Sequence, residues 1–242
     1  MAAPVQTLAP DSIRREAEAS LRRLGVERID LYQFHWPDTV GTRVEDSWAA
    51  MARLVEEGKV RLAGVSNFDV ELLERCEAIR HVDSLQPPFS PIRRQVAAAE
   101  LPWCVEHDTG VIAYSPMQSG LLSDRFDVAR VAGFADDDWR KRSPEFRPPR
   151  LERNLALRDA MRPVARRHGT TVSAIAVAWV LSWPGVSGAI VGARSARQVE
   201  GWIAAAALDL TPADLDEIAA AVESTGAGTG PRRPAAAGAS RD

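Results

Sequence analysis

Polar side chains of a few types follow five short apolar runs of this 242-residue chain. The carboxyl ends of parallel strands gather on one face, so side chains placed there can build a common site. A histidine can transfer a proton near neutral pH, and amide, hydroxyl and guanidinium groups can hold a polar ligand. Lysine, glutamate and aspartate would dominate an ordinary loop, so the pattern predicts a convergent polar site. Its candidate residues are His35, Ser66, Asn67, Gln86, Tyr114, Ser115 and Arg194.

Each candidate also has a purely structural interpretation. A lone histidine at a strand end, such as His35, is more often a structural or surface residue. The pair Ser66-Asn67 fits a turn and a helix cap, and Gln86 before two prolines fits a loop. Tyr114 could cover the core, and Arg194 could be a solvated charge. Taken singly, these residues leave both interpretations open.

The elements that would position these side chains follow from alternating periodicity. A first helix is predicted at 10–24, with Pro10 at a first helical position and Gly25 after its end. Strands separated by helices are typical of a parallel sheet, and the periodicity is compatible with a barrel and with an open sheet. The five predicted strands span residues 28–35, 60–65, 82–86, 111–115 and 188–192.

The second half of the chain contains a long segment without periodicity, residues 117–150. It is too long for an ordinary connection, so it predicts either a functional or a flexible loop. Helices are predicted at 151–168 and 172–183. Residues 223–242, rich in glycine, alanine, proline and arginine, predict a disordered tail.

Two further helices are predicted from the residues that would cap them. Ser195 and Gln198, three residues apart, form the pattern of a capping box. Thr211 and Asp214 repeat that spacing around Pro212 and predict the start of a final helix.

Composition and charge exclude several classes of protein. A net charge of −3 and an isoelectric point near 5.9 give no long-range attraction to nucleic acid. Cys76 and Cys104 lie far from any partner at metal-ligand spacing, so neither a disulfide framework nor a metal site is predicted. No apolar run reaches the roughly 18 residues of a membrane span, and the signal-peptide pattern is missing. We therefore expect a cytoplasmic protein without nucleic-acid or membrane partners.

Five ordered motifs resemble the aldo-keto reductases over about residues 10–222. They match in order, spacing and strand placement, which is more specific than any single motif. The resemblance implies a (β/α)8 barrel that transfers a hydride between a nicotinamide cofactor, usually NADPH, and a small carbonyl or alcohol substrate. The motifs are IDLYQFHWPD, GVSNF, SLQPPFSPIRR, GVIAYSPMQSGLL and AIVGARSARQVEGW.

The resemblance also implies a role for each candidate residue. His35 matches the histidine that orients the substrate carbonyl, and Tyr114 matches the aromatic residue that stacks on the nicotinamide ring. The residues matching those that hold the cofactor carboxamide are Ser66, Asn67 and Gln86. Further cofactor contacts are implied at Ser115, Met117, Ser119, Gly120, Leu121, Gly192, Arg194 and Gln198.

The sequence departs from the family pattern at two places near the cofactor. Gly192-Ala193 stands where many members have a lysine, and Gly201-Trp202 stands where members often have Glu-Asn. Arg194 could pair with a 2′-phosphate. The expected cofactor is therefore NADPH, with NADH as the alternative.

The family's catalytic tyrosine, lysine and aspartate have no counterpart that we can place. Tyr32, three residues before His35, is predicted to point to the opposite face of its strand. Lys59 is predicted at the entry end of its strand, and Lys141 lies in the long loop. The five strands would correspond to strands four to eight of the barrel. The chain would then comprise a short extension at 1–9, an incomplete barrel at 10–222 and the tail.

Two hypotheses from different classes follow. In the first, the chain is a truncated aldo-keto reductase whose Met1 is not the natural start, and its function is carbonyl reduction. In the second, it is a non-catalytic barrel remnant that acts as a binding or interaction protein. The cofactor-site residues are retained, which favours the first hypothesis. The sequence does not indicate an oligomeric state.

Overall fold

The computed structural model describes residues 6–234. Its strands are β1 Ile29–Phe34, β2 Val60–Ser66, β3 Ser84–Gln86, β4 Gly110–Tyr114 and β5 Val186–Ile190. Its helices are α1 Pro10–Leu24, α2 Val44–Glu56, α3 Val70–Glu77, α4 Glu100–Glu106, α5 Val128–Ala132, α6 Arg150–Ala160, α7 Arg162–Arg167, α8 Val172–Leu181, α9 Ala196–Glu200 and α10 Pro212–Thr225. Within the described residues, the chain divides into two compact units: residues 6–87 with 99–112, and residues 88–98 with 113–234.

The five predicted strands are confirmed, each with boundaries within two residues of the prediction. They follow one another in the order β1-β2-β3-β4-β5 in a single sheet. The pairs β1 with β2 and β2 with β3 are parallel, in a register that sets Gln33 opposite Gly64 and Gly64 opposite Ser84. The predicted α/β class with a parallel sheet is therefore confirmed.

The first unit packs α1, α2 and α3 around the apolar side chains of its strands. Trp48 of α2 is fully buried, and its ring meets Phe34 of β1 edge-on, with centroids 5.7 Å apart. Its indole Nε1 donates to the backbone oxygen of Arg80 at 2.8 Å, so this large side chain is buried without an unsatisfied donor. These contacts hold the carboxyl end of β1 in place.

The second unit is built around α8, which is apolar on all sides. Residues 172–180 of this helix are all buried. Trp179 packs against Phe89 and Trp183, with ring centroids 5.3 Å and 5.2 Å away. A helix that is apolar all round must be enclosed, and these aromatic rings supply part of the enclosure.

The long segment at 117–150 is packed. Four aromatic rings form a cluster of their own, in which Phe146 lies 5.8 Å from Phe126, 6.0 Å from Phe134 and 6.1 Å from Trp139. The Arg140 guanidinium lies 4.0 Å from the centre of the Phe134 ring. These contacts join residues up to 20 positions apart, so no local period could reveal them.

The predicted helix at 151–168 is divided into α6 and α7 at Met161. Pro163 stands at the start of α7, where its missing N–H costs no hydrogen bond. The predicted cap of the last helix is confirmed, because the Thr211 hydroxyl and the Asp214 carboxylate form a reciprocal capping box.

The predicted disordered tail is wrong for its first residues. Helix α10 continues to Thr225, and Ala227 beyond it is buried. Both terminal nitrogens of Arg94 donate to the Ala227 oxygen at 3.2 Å, and the Arg94 backbone N–H donates to Thr229. Burial, with a smaller contribution from Arg232, lowers the pKa of Arg94 to about 10. The tail prediction for residues 235–242 lies outside the described residues.

Candidate active site

His35 lies immediately beyond β1, with its side chain exposed and its backbone tied to the next strand. The Asn67 amide donates to the His35 backbone oxygen at 3.0 Å and to the Ser66 hydroxyl at 3.0 Å. Asn67 has a φ of 63°, a left-handed conformation that asparagine tolerates better than most residues. The GVSNF motif therefore turns sharply after β2, and its amide fixes the backbone of His35.

Ser66 is buried, and its hydroxyl is already used as a donor. It donates to the backbone oxygen of Gln86 at 2.7 Å while accepting from Asn67. The Asn67 backbone N–H also donates to that oxygen, at 3.2 Å. The structure thus brings together His35, Ser66, Asn67 and Gln86 at the carboxyl ends of β1, β2 and β3, as the sequence predicts.

Gln33 and Ser84 are two further polar residues of this face that are not among the predicted candidates. Gln33 donates through Nε2 to the Ser84 hydroxyl at 2.9 Å, and it accepts from Nε2 of Gln86 at 2.8 Å. Both precede a candidate residue by two positions, Gln33 before His35 and Ser84 before Gln86. The period of two in a strand places such residues on one face and could have identified them.

The second unit contains a cleft of about 1130 Å³. Its size is in the range of sites that hold a cofactor or a large ligand. Eight of the nine candidate residues in this unit line it, namely Tyr114, Ser115, Met117, Ser119, Gly120, Gly192, Arg194 and Gln198. The ninth, Leu121, is fully buried, so its side chain is part of the core, and its contact with a cofactor stays a prediction.

The cleft wall that follows β4 has an unusual backbone. Ser115, Gln118 and Ser119 have φ values of 57°, 46° and 53°, and Gly120 has a φ of 103°. Left-handed conformations of residues other than glycine cost energy and cluster at functional sites. The N–H groups of Gln118 and Gly120 donate to the backbone oxygens of Ser115 and Met117 within this turn, and successive N–H groups in such a conformation can suit a negatively charged group.

The charges lining the cleft are predominantly positive. Five arginines and one aspartate contribute, namely Arg125, Arg130, Arg140, Arg194, Arg197 and Asp124. Arg140 pairs with Asp138 at 2.6 Å, and this hydrogen bond, helped by the nearby charge of Arg194, lowers the pKa of Asp138 to about 2. Arg125, Arg130 and Arg140 could not be identified from the sequence, because they lie in the segment without periodicity.

The predicted capping box at Ser195 is wrong. The Ser195 side chain makes no capping hydrogen bond, and the Gln198 amide oxygen accepts from the backbone N–H of Arg194 at 2.6 Å. Helix α9 has only five residues, so its dipole is small. Gln198 instead stabilises the backbone of Arg194 at the edge of the cleft.

The tyrosines and lysines lie in separate surroundings. Lys59 stands at the amino end of β2 and pairs with Glu18 at 2.7 Å. Lys141 pairs with Asp136 at 2.6 Å in the long segment. Burial raises the pKa of Tyr32, which also interacts with the charges of α1. Both lysines thus form ion pairs with carboxylates.

No helix within residues 6–234 is long and apolar enough to cross a membrane. That same range holds no group of three or more histidine, cysteine, aspartate or glutamate side chains arranged to bind a metal ion.

Comparison with known proteins identifies the family. A model of the aldo/keto reductase family matches residues 2–223. Aldo-keto reductase YhdN of Bacillus subtilis (strain 168) is 32% identical over 214 residues, which are 88% of this chain and 64% of that protein. The NADH-specific methylglyoxal reductase of Escherichia coli (strain K12) is 30% identical over 223 residues, or 90% of this chain and 67% of that protein.

Comparison with solved structures agrees with the family match. The solved structure of the glycerol dehydrogenase AKR11B4 from Gluconobacter oxydans has a TM-score of 0.85 and 34% identity, over 93% of this chain and 68% of that one. The chain spans about two thirds of the length of these relatives. The family comprises oxidoreductases that use nicotinamide cofactors and act on small carbonyl substrates. A family match across most of the chain and a shared fold show that this chain belongs to the aldo/keto reductase family.

Proposed function

We propose that this chain carries the cofactor site of an oxidoreductase that interconverts a small carbonyl compound and its alcohol. The cleft of the second unit is the observation that carries the proposal, since eight candidate residues from distant parts of the sequence line it. When bound, a nicotinamide cofactor supplies or accepts the hydride.

In this proposal, the second unit holds the cofactor along its length. Tyr114, which lines the cleft, would hold the nicotinamide ring by stacking. The left-handed backbone from Ser115 to Gly120 would cradle the pyrophosphate through N–H groups other than those of Gln118 and Gly120, which donate to Ser115 and Met117 within the turn. Arg194 pairs with the phosphate at the adenosine end. The positive charge of the cleft supports this assignment.

Polar residues that follow β1, β2 and β3 have proposed roles at the nicotinamide and at the substrate. Ser66, Asn67 and Gln86 hold the cofactor carboxamide, and His35 orients the substrate carbonyl by a hydrogen bond. The hydrogen bond from Asn67 to the His35 backbone oxygen supports a fixed imidazole position, because it restrains the chain at the point where the ring emerges. In this arrangement, the barrel strands correspond to strands four to eight of the family fold.

We propose NADPH as the preferred cofactor, with NADH as the alternative. The five arginines of the cleft favour a ligand with an additional phosphate. Asp138 weakens this preference, since its carboxylate interacts with the charge of Arg194. One relative is named as an NADH-specific reductase, which supports NADH as the alternative.

The substrate that we propose is a small carbonyl compound or alcohol. Relatives of this chain are named for methylglyoxal reduction and for glycerol dehydrogenation, both of which act on small polar compounds. We also propose a cytoplasmic location. The two cysteines support it, because both are free and buried, and burial raises the pKa of each thiol to about 12.

Titration of the full chain with NADPH and NADH tests this proposal. Trp139 and Trp202 line the cleft, so tryptophan fluorescence should report binding there. We expect saturable binding with a dissociation constant above about 1 μM for NADPH and a higher one for NADH. Absence of saturable binding for both cofactors would contradict the proposal. Cofactor binding without hydride transfer to any small aldehyde would favour the non-catalytic binding protein.

A further inference from the structure

A chain of side-chain hydrogen bonds crosses three strands and ends at Gln86. It begins at the buried Ser84 hydroxyl, which accepts from Nε2 of Gln33 at 2.9 Å. It continues from Oε1 of Gln33, which accepts from Nε2 of Gln86 at 2.8 Å. Gln33 thus contacts Gln86, although the two residues are 53 positions apart in the sequence.

Gly64 makes this series of hydrogen bonds possible. It lies between Gln33 and Ser84 in the strand register, and it has no side chain. A Cβ atom at position 64 would lie 2.7 Å from the Ser84 backbone oxygen, still closer to its hydroxyl, and 3.1 Å from Cγ of Gln33. The Gln33 amide can therefore pass over β2 and reach β3 only because position 64 is a glycine.

The direction of the hydrogen bonds determines which end of Gln86 is left for a ligand. An amide side chain has an acceptor oxygen and a nitrogen with two N–H donors. Gln33 directs its nitrogen toward Ser84, so it offers its oxygen to Gln86. Gln86 therefore directs its nitrogen toward Gln33, which sets the orientation of its amide, and Oε1 on the other side of the amide can only accept.

The neighbouring hydroxyl has the same polarity. Ser66 donates its hydrogen to the Gln86 backbone oxygen, so only a lone pair remains for a ligand. Two acceptors in this position match a group that donates through N–H. The carboxamide NH₂ of a nicotinamide is such a group, whereas its carbonyl oxygen is not.

We infer that Gln33 is a positioning residue, which orients Gln86 so that its Oε1 accepts from the carboxamide NH₂ of the nicotinamide cofactor. This inference rests on the proposed function and adds a residue that touches neither cofactor nor substrate. The reverse orientation is the competing arrangement. In it, the Ser84 hydroxyl would donate to Gln33, and Gln86 would present its nitrogen.

Two substitutions at position 33 separate the two orientations. Gln33→Met keeps the length and removes the polar atoms, whereas Gln33→Glu keeps an acceptor facing Gln86. Binding is measured on the full chain by tryptophan fluorescence with two probes: NADPH, and its 3-acetylpyridine analogue, in which a methyl ketone replaces the carboxamide and provides no N–H donor. Ser84→Ala is the second variant, and thermal unfolding shows that each variant is folded.

We expect Gln33→Met to weaken NADPH binding about fivefold, the value of one neutral hydrogen bond, and to leave the analogue unaffected. Gln33→Glu should bind NADPH within about twofold of the wild type, and Ser84→Ala should show a smaller loss of the same kind. Equal losses for both probes, unchanged NADPH binding by Gln33→Met, or a loss in Gln33→Glu as large as in Gln33→Met would overturn the inference. If the wild type binds neither probe, the proposed function itself fails.

Discussion

Gly64 and Ser84 face each other on neighbouring strands with no room for a methyl group between them. A Cβ atom on Gly64 would lie 2.7 Å from the backbone oxygen of Ser84, an atom that cannot rotate away. Gly64 belongs to the GVSNF motif, which also contributes Ser66 and Asn67 to the site. Packing against Ser84 therefore excludes a larger residue at position 64 of this motif.

Gly64→Ala should therefore reduce the free energy of unfolding by about 2 kcal/mol, because a rigid backbone oxygen must move to admit the methyl group. Urea denaturation measures the change. Gly188→Ala is the matched control, since its added Cβ would meet nothing within 4 Å, and we expect a change below about 0.5 kcal/mol. Equal stability of the wild type and Gly64→Ala would show that β2 and β3 are not as close as described.

Arg194→Ala should weaken NADPH binding about tenfold and NADH binding much less, because only NADPH has a 2′-phosphate to pair with the guanidinium. Dissociation constants for both cofactors, measured for the wild type and the variant at one salt concentration, give the loss of affinity for NADPH relative to that for NADH. Arg61→Ala is the control, since Arg61 is an exposed arginine of the first unit. Equal losses of affinity for NADPH and NADH would contradict the proposed pairing of Arg194 with the 2′-phosphate.

Asp214 should contribute to stability in a pH-dependent way. Burial raises the pKa of Asp214, but hydrogen bonds from Thr211, His168 and Arg167 outweigh burial and hold the pKa below its ordinary value. A lowered pKa in the folded state stabilises the fold above the ordinary aspartate value of about 3.9, and this contribution disappears as pH falls through the folded pKa.

Asp214→Asn should thus lower the free energy of unfolding by roughly 2 kcal/mol at neutral pH and by less at about pH 3. Chemical denaturation at a series of pH values measures the difference between variant and wild type. Asp136→Asn is the control, because the Asp136 carboxylate is fully exposed and its ion pair with Lys141 should contribute little to stability. A difference that is the same at all pH values would contradict the prediction.

Arg94→Met should release the segment that follows α10. The substitution removes the donors to the Pro91 and Ala227 carbonyls, which would then be left unsatisfied at a cost of about 1–3 kcal/mol. Hydrogen exchange of the Arg94 backbone N–H, which donates to Thr229, should become faster. Arg93→Met, at the exposed neighbouring position, should leave this exchange unchanged, and slow exchange in Arg94→Met would show that the guanidinium does not hold the segment.

The full chain should oxidise NADPH only slowly with an aromatic aldehyde. This prediction rests on the hypothesis that neither Lys59 nor Lys141 lies beside a tyrosine that acts as the acid, because such acid catalysis supplies about 10²- to 10⁴-fold. Cofactor absorbance in the presence of aldehyde measures the rate. Brisk turnover would show that another group of the chain acts as the acid.

Local pattern was sufficient for the strands and for the types of the site residues. The five strand positions follow from short apolar runs, and the position of His35 follows from the end of β1. The capping box of Thr211 and Asp214 involves neighbours in sequence, so it too could be predicted. In each case the determining contacts join residues only a few positions apart.

Other features depended on contacts between residues far apart in the chain. The roles of Gln33 and Ser84 become visible only when the strand register brings them to Gln86, and the burial of Leu121 only when the core closes around it. Contacts between distant residues also form the aromatic cluster of residues 117–150 and the hydrogen bond from Arg94 to the Ala227 backbone oxygen. Sequence alone determined which residues stand at the strand ends. The tertiary structure decided which of their atoms are used by neighbours and which remain for a ligand, because hydrogen-bond direction is set by the partner that folding supplies.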